Sequence, residues 1–234
     1  MTDYISEIIS ASAVYYTKDP PYGEYDDGFK TNIVVFSGTV QEALWEHRNI
    51  PLAVLSFACA RNPAGKTKYS RRGQEMDLYS ISNLSDVMNT MQIAAMFYVP
   101  NRTNNTFCSD RVLYTPNICF TMNGDSFFAD VISSAAPCVK FLTNVSDNKL
   151  RVLLEQRIDM ILNSALIHNK RNIILGAWGC GGNGIDPTIV ATAFKTVIDT
   201  AYNGVFENII FAIPDSNLNN YYIFKTIIGG DALE

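Results

Sequence analysis

The run Ile173-Ile174-Leu175-Gly176-Ala177-Trp178-Gly179-Cys180-Gly181-Gly182-Asn183-Gly184-Ile185-Asp186-Pro187 restricts the fold of this chain more than any other. A short apolar strand leads into a loop with five glycines, and Asp186-Pro187 then opens a strongly periodic helix. Asp at the N-cap and Pro at the first helical position are both residues that a helix start prefers. Strand, tight loop and helix in that order aim free backbone N–H groups and the positive end of a helix dipole at one spot. Glycine lets the main chain come close to a ligand, so phosphate oxygens can be cradled without side chains. The spacing is not G-x-G-x-x-G, and no Lys-Ser/Thr follows the last glycine as in a Walker A loop. The pattern predicts a phosphate-binding loop outside the dinucleotide-fold and kinase classes. A glycine turn that binds nothing is the alternative.

Periodicity supplies the surrounding elements. Helical spacing runs from Asp3 to Tyr16, and a Pro, Gly, Asp and Tyr-rich loop follows to Gly28. Asn32–Phe36 is β-branched and strand-like. Thr39-Val40-Gln41-Glu42 is a capping box, which starts a short helix reaching about His47. Pro51–Ala58 is a buried strand feeding the loop Arg61–Lys66. Gln74–Ile81 and Ser85–Met96 are helical, and Pro100–Asp110 is a polar loop. Val112–Tyr114, Ile118–Met122 and Phe127–Ser133 read as strands around turns at Pro116 and Asn123-Gly124. In the helix Asp147–His168, Leu150, Leu153, Leu154, Ile158, Ile161, Leu162 and Ala165 form one apolar face. The strand Asn172–Leu175, a helix from Pro187 to about Tyr202 and the strand Asn208–Ile213 follow, with Gly204 just past the helix end. This alternation predicts an α/β fold with a mostly parallel sheet covered on both faces. Ligands of such sheets sit at the C-terminal ends of the strands, here the loops after Ala58 and Leu175.

Composition narrows the function classes. Five dispersed cysteines (Cys59, Cys108, Cys119, Cys138, Cys180) form no C-x-x-C pair, which suits reduced thiols. Cys59 reads as a core residue. Cys180 is either a nucleophile without an evident base or a small residue lining a tight loop, and the second reading is preferred. His47 and His168 fall at predicted helix ends, as surface or helix-terminal residues. No metal-ligand spacing appears, so no zinc or iron centre is expected. The net charge of −5, with no basic stripe on any helix, disfavours duplex nucleic acid. The cluster Lys66, Lys68, Arg71, Arg72 either steers an anionic ligand or is a solvated loop. No apolar run approaches the ~20 residues that span a bilayer. The N-terminus lacks a signal peptide's basic region, so the cytoplasm is the expected location.

The two candidate loops, taken together, resemble the macrodomain proteins of the microbial-type poly(ADP-ribose) glycohydrolase family. The matching pieces are Leu55-Ser56-Phe57-Ala58-Cys59-Ala60-Arg61-Asn62-Pro63, Gln74-Glu75, Leu113-Tyr114-Thr115-Pro116, Ser133-Ser134-Ala135-Ala136-Pro137 and Leu175-Gly176-Ala177-Trp178-Gly179-Cys180-Gly181. They keep the family's order and span roughly residues 32–198, which makes 1–31 an N-terminal helix and loop extension of one domain covering 1–234. The resemblance implies a macrodomain-like three-layer α/β/α fold with a mixed, mostly parallel central sheet.

The same resemblance implies ADP-ribose or a derivative as ligand, an ADP-ribosylated protein as a candidate partner, and no cofactor. It assigns Asn62, Gly65, Gln74 and Glu75 to the distal ribose. Gly179, Cys180, Gly181, Gly182, Asn183 and Gly184 fall to the diphosphate. The family signature is a triple glycine, a spacer and Gln-Glu-Glu, the second Glu being catalytic. This chain has Ala64-Gly65-Lys66, a spacer Thr67–Gly73 and Gln74-Glu75-Met76. Glycosidic cleavage needs a carboxylic acid to protonate the leaving oxygen and then to activate water, and a thioether does neither. Glu75 is the remaining candidate catalyst, and its preferred reading is a ribose-hydroxyl ligand or helix N-terminal charge. Asn183 stands where the family has an aromatic residue near the terminal ribose, and Ile185 where it often has Asn. The expectation is an ADP-ribose-binding macrodomain of weak or no hydrolase activity, a reader or sequestering protein. The alternative is a working glycohydrolase that uses Glu75.

Overall fold

The computed structural model describes residues 2–16, 28–63, 73–102, 107, 110–141, 145–214, 216 and 218–229. Its centre is a seven-stranded sheet in the order β1-β4-β5-β3-β6-β7-β2. The strands are β1 (Ala13–Tyr16), β2 (Asn32–Ser37), β3 (Ala53–Phe57), β4 (Arg111–Met122), β5 (Asp125–Ser134), β6 (Asn172–Leu175) and β7 (Asn208–Ile213). Strands β5, β3, β6, β7 and β2 run parallel, and β4 and β1 join antiparallel at one side. The parallel strands β3, β6 and β7 are buried almost throughout, which explains why they read as continuous apolar runs rather than alternating ones. At their N-terminal ends Asn32, Asn208 and Asn172 stand side by side and pass amide hydrogen bonds across the sheet at 2.9 and 2.7 Å.

Helices cover both faces, making the three-layer α/β/α arrangement. One face carries α1 (Thr2–Ala11), α2 (Val40–Glu46), α3 (Gln74–Ser80), α4 (Leu84–Met88) and the helical run Met91–Asn101. Their apolar residues Ile8, Leu44, Leu78, Val87 and Phe97 pack on Val54, Leu113 and Ile174. The other face carries α7 (Asp147–Ile167), α8 (Pro187–Ala201) and α9 (Leu218–Gly229), with Leu154, Ile161, Phe194 and Phe224 packed on Leu55, Ile132 and Phe211. The run Met91–Asn101 divides into α5 (Met91–Ile93), a π-helical turn Ala94–Tyr98 and α6 (Val99–Asn101).

Local chemistry explains most boundaries. Thr39 caps α2 in a capping box with Glu42, and Asp186 caps α8 by accepting from the Thr188 N–H. Ser146 does the same for α7. Asn123 and Gly124 both take positive φ, as the two-residue hairpin between β4 and β5 demands.

The structure differs from the expected elements at four places. Helical spacing through Tyr16 gives way to a strand. The Ser12 N–H returns to the Ile9 carbonyl to end α1, and Ala13-Val14-Tyr15-Tyr16 then pairs with β4. Residues 112–122 are one strand with an irregularity between Thr115 and Ile118, not two strands around a turn. Pro116 cannot donate to the ladder, and Asn117 takes φ +52° there with its N–H held by Asp130. The helix expected over Ser85–Met96 breaks at Asn89-Thr90, where the Thr90 hydroxyl caps a new start. The helix α9 was not anticipated, although Phe224 and Ile228 carry the spacing of a buried face. His168 is the C-cap residue of α7, as its expected place at a helix end requires, and its ring also stacks on Tyr114 at 3.6 Å and bonds the Tyr15 hydroxyl at 2.9 Å.

Candidate functional site

The C-terminal ends of β5, β3, β6, β7 and β2 lie along one edge of the sheet. Between β3 and β6 the ladder covers only Ala53 and Val54. Beyond it the Gln74 amide takes up the main chain of β3, donating to the Leu55 carbonyl at 2.7 Å and accepting from the Phe57 N–H at 2.8 Å. Both ends of Gln74 are thus engaged with β3, and the first turn of α3 is anchored to the strand exit.

Glu75, the next residue, is 6% exposed. Its Oε2 accepts from the Cys59 N–H at 3.1 Å, and its Oε1 accepts from the Tyr79 hydroxyl at 3.2 Å, one helical turn on. Tyr98, the last residue of the π-helical turn, is buried beside Tyr79 and Glu75. Burial, followed by those two neighbours, pushes its phenol well above the ordinary range. A π-turn bulges the helix locally, and such bulges recur at functional sites. Met76 follows Glu75 on the same turn and is half-buried. Cys59 is half-buried just beyond β3, and is not the strand-core residue expected.

Asn62 is half-buried, and its Oδ1 accepts from Arg102 at 3.4 Å. Arg102 also donates to the Arg61 carbonyl at 3.1 Å, so the loop after β3 is tied to the end of α6. Gly65 and the cluster Lys66, Lys68, Arg71, Arg72 lie outside the described residues.

The glycine loop leaves β6 under tight constraint. A Cβ on Gly176 would stand 2.8 Å from the Ala212 carbonyl of β7. Trp178 is fully buried and donates its indole N–H to the Ser134 carbonyl at 3.1 Å, joining the loop to the end of β5. Gly179 takes φ +85°, and a Cβ there would meet Ile185 at 2.7 Å and Ala136 at 2.9 Å. Gly184 takes φ +77°. Gly181 and Gly182 are different: both are exposed, neither has positive φ, and a Cβ on either would meet nothing.

Hydrogen bonds divide the loop in the same way. The N–H groups of Trp178, Cys180, Gly184 and Ile185 close turns within the loop. Among the described residues, no carbonyl accepts from the N–H of Gly181, Gly182 or Asn183. Three successive donors therefore stand uncommitted, two on exposed residues and one on the half-buried Asn183, a set suited to anion oxygens. The Asn183 amide turns inward and donates to the Ala136 carbonyl at 3.2 Å. Burial, reinforced by Asp186, pushes the Cys180 thiol up to about 12, so it stays protonated at neutral pH and is a poor nucleophile.

Residues 2–123 match the family model described as microbial-type PARG, catalytic domain, PARG being poly(ADP-ribose) glycohydrolase. The chain belongs to that family. The match takes in α1, Asn62 and the Gln74-Glu75-Met76 triplet, and ends before the glycine loop. No curated protein matches the chain. Solved structures of bacterial PARG share its fold. The Deinococcus radiodurans enzyme in complex with ADP-ribose is 23% identical, with a TM-score of 0.86 over 97% of this chain and 98% of that one. The Thermomonospora curvata enzyme is also 23% identical, with a TM-score of 0.86 over 97% of this chain and 89% of that one. A second T. curvata structure, bound to the inhibitor ADP-HPD, is 22% identical with a TM-score of 0.84.

Within this PARG-family fold, sequence reasoning missed four residues that shape the site. Arg157 is buried, yet lies in the apolar stripe of α7 three residues after Leu154, a spacing visible in the sequence. Tyr79 stands at i+4 from Glu75, also a readable spacing. Tyr98 and Lys140 had no local signal. Among the described residues no group of three or more His, Cys, Asp or Glu could hold a metal ion. No helix among them is long and apolar enough to cross a membrane.

Proposed function

We propose that this PARG-family chain binds ADP-ribose or a closely related nucleotide and cleaves poly(ADP-ribose) slowly or not at all. The observation that carries this reading is a contrast between two corners of one edge. The N–H groups of Gly181, Gly182 and Asn183 have no partner among the described residues, while Met76 stands at the place that the resemblance assigns to the family's catalytic Glu. The D. radiodurans enzyme in complex with ADP-ribose and the T. curvata enzyme bound to ADP-HPD support the choice of ligand.

Glu75 does not make good the loss. A general acid must hold a proton and deliver it to the leaving oxygen. Both Glu75 oxygens instead accept hydrogen bonds, one from main chain and one from a phenol, which hold the carboxylate against the exit of β3. Moving that carboxylate toward the position of residue 76 would break both bonds, and misplacement near 1 Å can cost about 10²-fold in rate. Glu75 is better suited to accept from a ribose hydroxyl. A protein with this division of labour would read or sequester ADP-ribose-containing species, free or attached to protein.

Calorimetry with ADP-ribose and an assay of ADP-ribose release from poly(ADP-ribose) test the reading together. Binding is expected in the micromolar range, about −8 kcal/mol, with little release. Met76→Glu should raise release while leaving affinity roughly constant, and only in part, because Asn183 still replaces the aromatic neighbour of the family. Brisk turnover by the wild type that Glu75→Gln abolishes would instead establish the second reading, a working hydrolase centred on Glu75.

A further inference from the structure

The glycine loop belongs to a chain of net charge −5, so an anion approaching it meets a repulsive field unless a cation stands close. Residues Val139–Phe141 form a single 3-10 turn after β5. The Val139 N–H donates to the Asn183 carbonyl at 3.0 Å, which docks that turn on the loop. The Lys140 stem then lies along Gly184. A Cβ built on Gly184 would stand 2.8 Å from Lys140 Cγ, 3.0 Å from Cε and 3.5 Å from Cδ. Gly184 therefore answers to two demands, its positive φ and the methylenes laid across it. The ammonium is one C–N bond of about 1.5 Å beyond Cε, and Gly184 directly follows the three residues whose N–H groups are uncommitted. Among the described residues no carboxylate pairs with Lys140. The nearest acidic residue in sequence to Gly184, Asp186, is engaged in capping α8.

We propose that Lys140 is the charge-bearing residue of the anion subsite, holding a ligand diphosphate against the N–H row of Gly181, Gly182 and Asn183. This rests on the reading of the loop as a nucleotide diphosphate site. Lys140 is exposed, and its stem crosses Gly184, so the charged head stands in solvent while the methylenes follow the loop. A backbone nest alone supplies partial charges; the lysine adds a full one, which makes affinity depend on ionic strength.

The test compares wild type, Lys140→Met and Lys140→Arg by calorimetry with ADP-ribose and with inorganic pyrophosphate, at low and high salt. Met keeps an apolar stem over Gly184 and removes only the charge. Lys140→Met should weaken both ligands at low salt by about tenfold, the scale of one charge-assisted hydrogen bond. It should also lose most of the salt dependence, and Lys140→Arg should retain both affinity and salt dependence. Equal affinity and equal salt dependence in wild type and Lys140→Met would overturn the role of Lys140 and leave the loop reading standing. So would an equal fractional loss at both salt concentrations, because that marks a packing effect. A folded wild type that binds neither ligand overturns the loop reading itself.

Discussion

Gly179 and Gly181 sit two residues apart and answer to different constraints. Gly179 takes positive φ against Ile185 and Ala136, so any side chain there strains the backbone and collides with packed neighbours. Gly181 has open space where a Cβ would be, so the fold itself tolerates a larger residue. Its smallness matters only to something that approaches from outside. Gly181→Val should therefore leave the melting temperature within a degree or two, about 0.5 kcal/mol or less, and weaken ADP-ribose binding about tenfold or more by blocking close approach. Undiminished affinity in a folded Gly181→Val protein would put the nucleotide elsewhere. The same logic sorts Gln74 from Glu75: one is spent on the main chain of β3, the other is held by a main-chain N–H and a phenol.

Helix α7 shares a hydrophobic cluster with Trp178 and Ile185 of the glycine loop, and its Arg157 adds polar support. Arg157 Nε donates to Asp110 at 2.9 Å, Nη1 to the Ala135 carbonyl at 2.8 Å, and Nη2 to the Phe107 carbonyl. Ala135 leads into Ala136, which touches the Cβ position of Gly179 and accepts from Asn183. The guanidinium thus fixes the shelf on which the loop rests. Arg157→Leu would leave the Ala135 carbonyl and its neighbours without their donor. The expected loss of stability is about 2–4 kcal/mol, moderated because Asp110 is partly exposed and can be hydrated. Arg157→Lys should recover less than half, since an ammonium cannot reach three acceptors in a fork. Urea denaturation of the three proteins measures both effects, and a loss under about 1 kcal/mol for Arg157→Leu would mean the shelf is held by other contacts.

The two edges of the whole sheet carry different work. The candidate site lies where the parallel strands end, and a polar cluster lies where they begin, with Asp130 opposite Ala53 at the start of β3. There Asp130 pairs with Lys170 at 3.0 Å and accepts from Tyr114, on which His168 stacks. Burial, assisted by Lys170 and opposed by Asp130, lowers the His168 pKa from its ordinary 6.5. Below pH 6.5 the unfolded chain takes up a proton that the folded chain resists, so the stability contribution is complete above that pH and declines as pH falls. Melting temperature should drop more steeply between pH 7 and the lowered pKa in wild type than in His168→Gln. Parallel pH profiles for the two proteins would show that this histidine is not linked to folding.

Much of this was legible in the chain because it rests on local chemistry. Thr39 and Asp186 announced their helices through caps, β3, β6 and β7 through apolar runs, and Asn123-Gly124 its hairpin. The glycine loop and the Met76 substitution were likewise written in consecutive residues, and the family followed from them. What the sequence by itself could not determine depended on partners remote along the chain. Val14 and Tyr15 became a strand because β4 offered a free edge. Gln74 turned to β3 because β6 diverges from it. Arg157 and Lys140 reached the site from α7 and from the turn after β5, Lys140 lying against Gly184 and Arg157 acting by way of Ala135. Such contacts exist only once loop closure has been achieved and apolar faces have packed, and that step, unlike a cap or a period, leaves no mark on neighbouring residues.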